Sequence, residues 1–176
     1  MLLYLFALEY SGDDLLGDHA VAAGVQYFPA RAPYLPADGA ISEEEAAALR
    51  EKAWKRRGLL LHDDAVLEAM GNERIADRLP YSIKKDGTVT GDLADRQQLK
   101  QLQEYLFHLL GEMVDEIASG VVDPNPYTRG SSHDACAFCP YSAICHKETV
   151  LERRNYKAMP SQRFWDEITK EMKDHG

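Results

Sequence analysis

Cysteine is scarce in this sequence: there are three, and all of them lie within residues 133–148, HDACAFCPYSAICHKE. An odd and clustered set of cysteines is not the pattern of a secreted disulfide framework. No apolar run approaches the roughly 20 residues that cross a bilayer. The apolar start, MLLYLFALEY, has neither the basic flank nor the cleavage site of a signal peptide. These absences favour a cytoplasmic protein with no membrane partner.

Positive charge is also in short supply. There are 20 Lys and Arg against 29 Asp and Glu, so the formal net charge is -9. This balance argues against a surface that binds nucleic acid along its whole length, although it permits a local basic patch. The sequence has no internal repeat and no low-complexity segment, and a hydrophobic content of 45% is ordinary for a globular domain. A chain of 176 residues is long enough to bury a core.

Hydrophobic patterning in the first third predicts helices around a short strand. Residues 1–10 are apolar on all sides, which is typical of a fully buried helix. The alternation in AAGVQYFPAR predicts a strand at Val25–Phe28 inside a covered sheet. A helix then begins at Ser42, with Glu45 completing a capping box. We expect it to end in the cations Lys55–Arg57, which suit the negative end of a helix dipole.

The rest of the chain predicts further helices, so that the fold class is α+β and predominantly helical. HDDAVLEAMG is a short helix that Gly71 closes, and YSIKKDGTVTG is a hairpin with Asp86-Gly87 in its turn. A long amphipathic helix runs from about residue 95 to 119. Prolines keep VVDPNPY extended, and SQRFWDEITKEMKDHG forms a last amphipathic helix, capped by Ser161.

The three cysteines have the spacing C-x2-C-x5-C. Two thiolates separated by two residues can bind one metal ion through a tight turn. Phe138 and Tyr141 would shield the sulfurs from water, which favours an iron–sulfur cluster over zinc. Zinc remains an alternative, with His133 or His146 as the fourth ligand. Three partly buried cysteines without a metal are the other alternative.

Three other stretches invite a catalytic or binding interpretation. Glu171-Met172-Lys173 matches a Glu-x-Lys pattern, but it falls in the charged last helix, where such a pair is common. His62–Asp64 is better explained as a helix N-cap than as a metal site. Lys55–Arg57 could contact the phosphates of a nucleic acid, although helix capping explains these residues better.

The block CAFCPYSAIC resembles the C-terminal cysteine cluster of the AddB-type subunit of AddAB helicase–nucleases. More broadly, it resembles iron–sulfur nucleases of the PD-(D/E)XK, RecB-like class. Further stretches resemble the same family in chain order, so the resemblance covers nearly the whole chain: LLYLFALE, AAGVQYFPAR, GLLLHDDAVLEAM, SGVVDPNPY and NYKAMPSQRFWDEITKEM.

This resemblance implies a 4Fe-4S cluster whose ligands include Cys136, Cys139 and Cys145, with the fourth cysteine upstream and outside this chain. It also implies a Mg²⁺ site built from an Asp and a Glu-x-Lys on upstream strands, with Tyr4 as the tyrosine of a Q-x-x-x-Y motif. The chain would then be the truncated C-terminal half of the nuclease domain. We expect it to be inactive alone, and to carry adventitious zinc or no metal.

The family's role is resection of double-strand DNA breaks for recombinational repair, with DNA and an AddA-type helicase–nuclease subunit as partners. Arg153 and Arg154 are the candidate DNA contacts. We expect one structural domain, in which 1–130 completes the nuclease core, 131–157 is the cysteine block and 158–176 the last helix. An exposed strand edge and N-terminal helix would favour self-association. The alternatives are a Cas4-like stand-alone iron–sulfur exonuclease and a non-catalytic, zinc-binding scaffold module.

Overall fold

The computed structural model of the chain describes residues 1–12, 15, 20–31, 34, 35, 37, 39–71, 78–123, 125–129, 134–145, 154–156 and 158–174. They form two compact units, Met1–Gln103 and Glu104–Gly176, and the division falls inside a long helix. Helices contain far more of the described residues than strands do. The prediction of a mixed and predominantly helical fold is therefore confirmed, whereas the boundaries 131–157 for the cysteine block stay a prediction.

The first unit combines helices with a small mixed sheet and a hairpin. Its elements are α1 (Leu2–Ser11), β1 (Gly24–Tyr27), α2 (Glu43–Ala53), β2 (Arg57–Leu61), α3 (Asp64–Met70), β3 (Tyr81–Ile83), β4 (Val89–Gly91), β5 (Leu93–Ala94) and the start of α4 (Arg96–Ala118). Strand β2 lies in the centre of the sheet, antiparallel to β1 and parallel to β5. Strands β3 and β4 form the predicted hairpin.

Strand β1 lies at an edge of the sheet. It pairs with β2 from Gly24 opposite Leu60 to Tyr27 opposite Arg57. The predicted strand is confirmed. In the described part of the chain no strand pairs with its other side, and the open edge stays a prediction. The expectation of a covered strand is wrong, because Tyr27 and Phe28 are 54% and 61% exposed and this end of β1 faces solvent.

The core of the first unit lies between β2, α3 and the hairpin. Leu60, Leu67, Leu79 and Tyr81 are buried together there, and Leu60 is fully inaccessible. The phenol of Tyr81 donates a hydrogen bond to the carbonyl of Leu67 at 2.9 Å. The Tyr81 hydroxyl is the one polar group among these four side chains. Its hydrogen bond offsets the cost of removing it from water.

The predicted N-terminal helix is present as α1, but it is not buried on all sides. Phe6 is 1% exposed, whereas Tyr4 is 72% exposed. Glu9 fastens the helix, since its carboxylate accepts hydrogen bonds from the N–H of Ala22 at 3.1 Å and from Nε2 of Gln103 at 3.3 Å. The opposite, apolar side of α1 therefore faces solvent. This exposure contradicts the expected burial and provides the apolar surface on which the expected self-association depends.

The capping signals predicted at the starts of α2 and α3 are confirmed. The Ser42 hydroxyl accepts from the N–H of Glu45 at 3.2 Å, and the Glu45 carboxylate accepts from the N–H of Ser42 at 3.0 Å. Helix α3 begins after Asp63, whose Oδ1 accepts from the N–H of Ala65 at 3.1 Å, and Gly71 ends it. These bonds satisfy N–H groups that the first helical turn leaves unpaired.

The second unit contains the rest of α4 together with β6 (Tyr127–Thr128), α5 (Ser142–Cys145), β7 (Arg154–Asn155) and α6 (Ser161–Asp174). Strands β6 and β7 are parallel and pair Tyr127 with Arg154. The long helix and the last helix are confirmed, although Ser161 is the first helical residue rather than the cap. Towards its end α4 leaves Met113 and Ile117 exposed at 47% and 76%.

Candidate functional site

The first two cysteines lie on one turn that Asp134 holds in place. The Asp134 side chain accepts a hydrogen bond from the N–H of Cys136 at 2.9 Å, and its carbonyl accepts from the N–H of Ala137 at 3.0 Å. The N–H of Cys139 donates to the carbonyl of Cys136 at 3.2 Å. An aspartate that bonds to the backbone two residues on is a common way to begin a turn. The C-x2-C segment therefore forms the tight turn that its spacing predicts.

The third cysteine, Cys145, is the last residue of α5. Its N–H donates to the carbonyl of Tyr141 at 3.0 Å. Cys145 is exposed, the other two cysteines are half-buried, and none of the three is in a disulfide. The predicted shielding by aromatic rings is wrong, because Phe138 and Tyr141 are 97% and 63% exposed.

The cysteines of this block are suitable metal ligands, but their side chains are not close enough together in this structure to bind one metal. Three thiols are the soft ligands that iron–sulfur clusters and zinc take. Among the described residues, however, no three His, Cys, Asp or Glu side chains lie close enough together to hold a metal ion. His133 and His146 lie outside the described residues. The iron–sulfur, zinc and metal-free interpretations all stay predictions.

Arg154 lies in β7, directly across the ladder from Tyr127. Its Nε donates to the carbonyl of Asn125 at 2.8 Å, and its Cζ lies 4.1 Å from the centre of the Tyr127 ring. No carboxylate within the described residues pairs with this guanidinium, so its remaining N–H groups can donate to a phosphate. The neighbouring candidate, Arg153, lies outside the described residues.

A second arginine–tyrosine pair lies beside the first. The Cζ of Arg129 is 5.4 Å from the centre of the Tyr156 ring, and the N–H of Tyr156 donates to the carbonyl of Thr128 at 2.8 Å. We call Tyr127, Arg129, Arg154 and Tyr156 the arginine–tyrosine face. Our sequence analysis missed three of these four residues, all but Arg154. Spacing by two residues, in YTR and in RNY, was the available signal, since such residues share one side of a strand.

Tyr4 lies on the solvent side of α1. Its side chain is 72% exposed, and its role in a Q-x-x-x-Y motif stays a prediction. Glu171 and Lys173 both lie in α6 and not on a strand, as expected of a Glu-x-Lys pair without a catalytic role.

The interpretation of His62–Asp64 as a helix start is confirmed, with Asp63 as the N-cap. Oδ2 of Asp63 also accepts from Nη2 of Arg96 at 3.3 Å. The bond from Arg96, followed by the helix N–H donors, holds the pKa of Asp63 below its usual range. The carboxylate therefore acts as the N-cap of α3 and as the partner of Arg96.

The cations Lys55–Arg57 do not end a helix, so that prediction is wrong. Helix α2 ends at Ala53 with Trp54 as its C-cap, and Arg57 already belongs to β2. The strand forms because the apolar run Leu59–Leu61 pairs on both sides, with β1 and β5. A short, continuous apolar run is a signal of a buried strand, which our sequence analysis did not use here.

Comparison with known proteins agrees with this mixed architecture. Residues 1–146 match the family model of the PD-(D/E)XK nuclease superfamily. The matched span contains Tyr4 and all three cysteines. This chain belongs to the PD-(D/E)XK nuclease superfamily.

Several bacterial proteins, each named as the B subunit of an ATP-dependent helicase/deoxyribonuclease, are similar to nearly the whole chain. The protein of Moorella thermoacetica is 35% identical over 161 residues, which are 89% of this chain and 14% of that protein. The protein of Oceanobacillus iheyensis is 32% identical over 165 residues, or 89% and 14% of the two chains. For Clostridium kluyveri the identity is 28% over 182 residues, or 99% and 16%. The resemblance to AddB-type subunits is confirmed, and the chain spans about one seventh of the length of these curated relatives.

None of the helices that the structure describes combines the length and the apolar character of a membrane span.

Proposed function

We propose that this chain corresponds to the C-terminal part of the nuclease subunit of an AddAB-type, ATP-dependent helicase/exonuclease. The observation that carries the proposal is similarity along nearly the whole chain to proteins named as B subunits of helicase/deoxyribonucleases. The proposed whole protein resects double-strand DNA breaks for recombinational repair, in the cytoplasm and together with an AddA-type helicase–nuclease subunit. Because only about one seventh of each relative is matched, strand cleavage and unwinding are assigned to the whole protein.

The chain alone is proposed to be inactive as a nuclease. In the resembling family, Mg²⁺ held by an Asp and a Glu-x-Lys on strands activates water and stabilises the leaving oxygen. The Glu-x-Lys of this chain, Glu171 to Lys173, lies in a helix instead. Tyr4 is the residue that we assign to the active site of the whole protein, and its exposed ring is compatible with packing against catalytic strands outside this chain.

Cys136, Cys139 and Cys145 are proposed to be three ligands of a 4Fe-4S cluster in the whole protein, with a fourth cysteine outside this chain. The turn at Asp134 supports this proposal, because it already brings the first two cysteines onto one loop. Cys145 would have to approach that turn, so cluster binding would be coupled to local folding. Without the fourth ligand, we expect the isolated chain to hold adventitious zinc or no metal.

The arginine–tyrosine face is the proposed DNA contact of the second unit. Arg154 is held by a ring and a carbonyl group rather than by a carboxylate, so phosphate binding would not require an ion pair to break. Tyr127 and Tyr156 are 57% and 55% exposed and offer surfaces on which bases can stack. Arg153 is proposed as a further phosphate contact.

The test compares this chain with the complete nuclease protein, each purified without oxygen. We expect no Mg²⁺-dependent cleavage of labelled DNA by the chain alone, and EDTA-sensitive cleavage by the complete protein in its complex. The complete protein should contain iron and sulfide and absorb broadly in the visible region, and Cys136→Ser or Cys145→Ser should abolish that absorption. Robust, EDTA-sensitive cleavage by the 176-residue chain would overturn the proposal.

Self-association of the isolated chain is also proposed. The exposed apolar side of α1, the open edge of β1 and the exposed end of α4 are the surfaces that support it. Size-exclusion chromatography with light scattering should show species larger than a monomer as the concentration rises. A clean monomer at high concentration would contradict this part of the proposal.

A further inference from the structure

A groove of about 700 Å³ opens in the first unit where β1 and β2 meet. We call it the basic groove, and it is lined chiefly by two aromatic residues and four cations: Tyr27, Phe28, Lys52, Lys55, Arg56 and Arg57. Asp92 is the one acidic residue among the described residues that line it. A chain with a net charge of -9 thus concentrates positive charge at one place. That place is where a polyanion would bind.

The cations of the basic groove are not neutralised by neighbouring carboxylates. Within the described part of the chain, neither Lys52, Lys55 nor Arg57 is in an ion pair. Glu51, the acidic residue beside them in sequence, is held instead by two nitrogens of Arg78, at 2.7 and 2.8 Å. Phosphate groups could therefore bind these cations without breaking an ion pair, and such phosphate contacts are the main source of nucleic-acid affinity.

Two exposed rings interleave with these cations. The register of the sheet places Tyr27 opposite Arg57. Cζ of Arg56 lies 4.2 Å from the centre of the Phe28 ring, while its Nη1 donates to Oε1 of Gln26 at 3.2 Å. Both rings are more than half exposed, so a further flat group can stack on them. Basic residues alternating with exposed aromatic rings are the arrangement that binds single-stranded nucleic acid.

A larger cavity nearby has a different charge balance, so the excess of cations in the basic groove is not shared by every open surface of this unit. It has a volume of about 1,180 Å³ and shares Lys52 and Lys55 with the basic groove. There, however, Glu51, Asp64 and Glu68 outnumber the two lysines. A polyanion is therefore favoured in the basic groove and not in the larger cavity.

We infer that the basic groove binds a segment of single-stranded DNA, with bases stacked on Tyr27 and Phe28 and phosphates bound by Lys52, Lys55 and Arg57. The inference rests on the proposed function in so far as the nucleic acid is DNA. Single strands are favoured over duplex, because bases inside a duplex are already stacked and cannot reach a protein ring. The groove would then hold an unpaired strand of the DNA on which the whole protein acts.

The first arm of the test measures electrostatics. The chain is titrated against a fluorescently labelled oligothymidine at several salt concentrations, followed by anisotropy. Each phosphate contact contributes about 0.7 to the slope of log K against log salt, so Lys52→Gln/Lys55→Gln should flatten that slope by about 1.4. Lys84→Gln/Lys85→Gln is the matched control, since it makes the same charge change on exposed lysines of the hairpin that do not line the groove.

The second arm measures stacking. Phe28→Leu keeps an apolar side chain but removes the ring, so affinity for oligothymidine should fall by roughly fivefold or more. Affinity for an abasic oligonucleotide of equal length should not change. Tyr27→Leu repeats the measurement at the second ring, and circular dichroism establishes that each variant is folded.

Three outcomes would overturn the inference. The first is equal salt slopes for Lys52→Gln/Lys55→Gln and its hairpin control. The second is equal affinity of the unmodified chain for oligothymidine and for the abasic strand. The third is tighter binding of a duplex than of oligothymidine. None of these outcomes bears on the proposed function, which the cleavage and iron measurements on the complete protein test separately. If the complete protein shows neither cleavage nor iron while the groove variants behave as expected, the inference about the groove is supported and the assignment to a helicase–nuclease is refuted.

Discussion

Gly58 lies where the backbones of β1 and β2 approach each other, and its replacement tests whether this contact positions the edge strand. Its φ is +147°, and a Cβ at this residue would lie 2.0 Å from the carbonyl oxygen of Val25 and 3.0 Å from Cα of Gln26. A carbon–oxygen contact needs roughly 3.3 Å. Because the obstructing atoms are backbone, Gly58→Ala can be accommodated only if β1 moves away from β2.

The magnitude follows from comparison with Gly39. Gly39 has the same φ of +147°, but among the described residues no atom lies within 4 Å of its Cβ position. Backbone strain alone should cost Gly39→Ala about 1–3 kcal/mol. Gly58→Ala adds overpacking of about 1–3 kcal/mol and loss of two ladder hydrogen bonds worth ~1 kcal/mol each. The free energy of unfolding should therefore differ by about 3–5 kcal/mol between the two variants.

The assay is urea denaturation followed by the fluorescence of Trp54, with Trp165→Phe in every variant. This background confines the tryptophan signal to the first unit, and agreement with the transition followed by circular dichroism checks that a two-state analysis applies. Gly58→Ala should also lose oligothymidine affinity, because displacement of β1 separates Tyr27 from Arg57. Equal destabilisation by Gly58→Ala and Gly39→Ala would refute the argument from close approach.

Three further predictions concern the core, the helix cap and the arginine–tyrosine face. Leu60→Ala removes a fully buried side chain and should lower the free energy of unfolding by about 2–5 kcal/mol in the same urea titration. Its control is Leu15→Ala, at a side chain that is 81% exposed, which should change the free energy of unfolding by less than ~0.5 kcal/mol. Since the pKa of Asp63 is lowered, its charge stabilises the fold above the ordinary value of 3.8 and stops doing so as pH falls through the lowered value. Asp63→Asn keeps the cap without the charge, so its melting temperature should lie below that of the unmodified chain at neutral pH and converge with it in acid; a constant difference would contradict this. Arg154→Lys should weaken DNA binding, measured by anisotropy, nearly as much as Arg154→Ala. The reason is that an ammonium group cannot stack on the Tyr127 ring and at the same time donate to the Asn125 carbonyl and to a phosphate. If the lysine variant kept its affinity, charge alone would account for binding.

Local signals predicted the local structure well. The capping box at Ser42, the cap at Asp63, the hairpin at Asp86-Gly87 and the long helix each depend on residues within a few positions of one another. Strand β2 was not predicted, because it depends on residues that are far apart in sequence. Its run of leucines follows three cations that resemble the end of a helix, and only pairing with β1 and β5, both distant in sequence, makes it a strand.

The candidate sites divide in the same way. The cysteine spacing is visible in the sequence, and the turn that it predicts at Cys136–Cys139 is present. The arginine–tyrosine face depends on the register between Tyr127 and Arg154, and the basic groove depends on the register between Tyr27 and Arg57. Neither register can be derived from composition or spacing, because each joins two segments that are about 30 residues apart. The aromatic rings and cations were therefore recognisable singly but not as surfaces.

Both surfaces hold an arginine in a similar way, and this similarity bears on how a strongly acidic chain can bind a polyanion. Arg154 lies on Tyr127 and donates to a carbonyl, and Arg56 lies on Phe28 and donates to an amide oxygen. A guanidinium oriented in advance loses less side-chain entropy when phosphate arrives. It also keeps its full charge, because rings and carbonyl oxygens do not neutralise it as a carboxylate would. In a chain with a net charge of -9, the overall charge opposes DNA binding, so binding must come from a few local contacts whose cations are already in position.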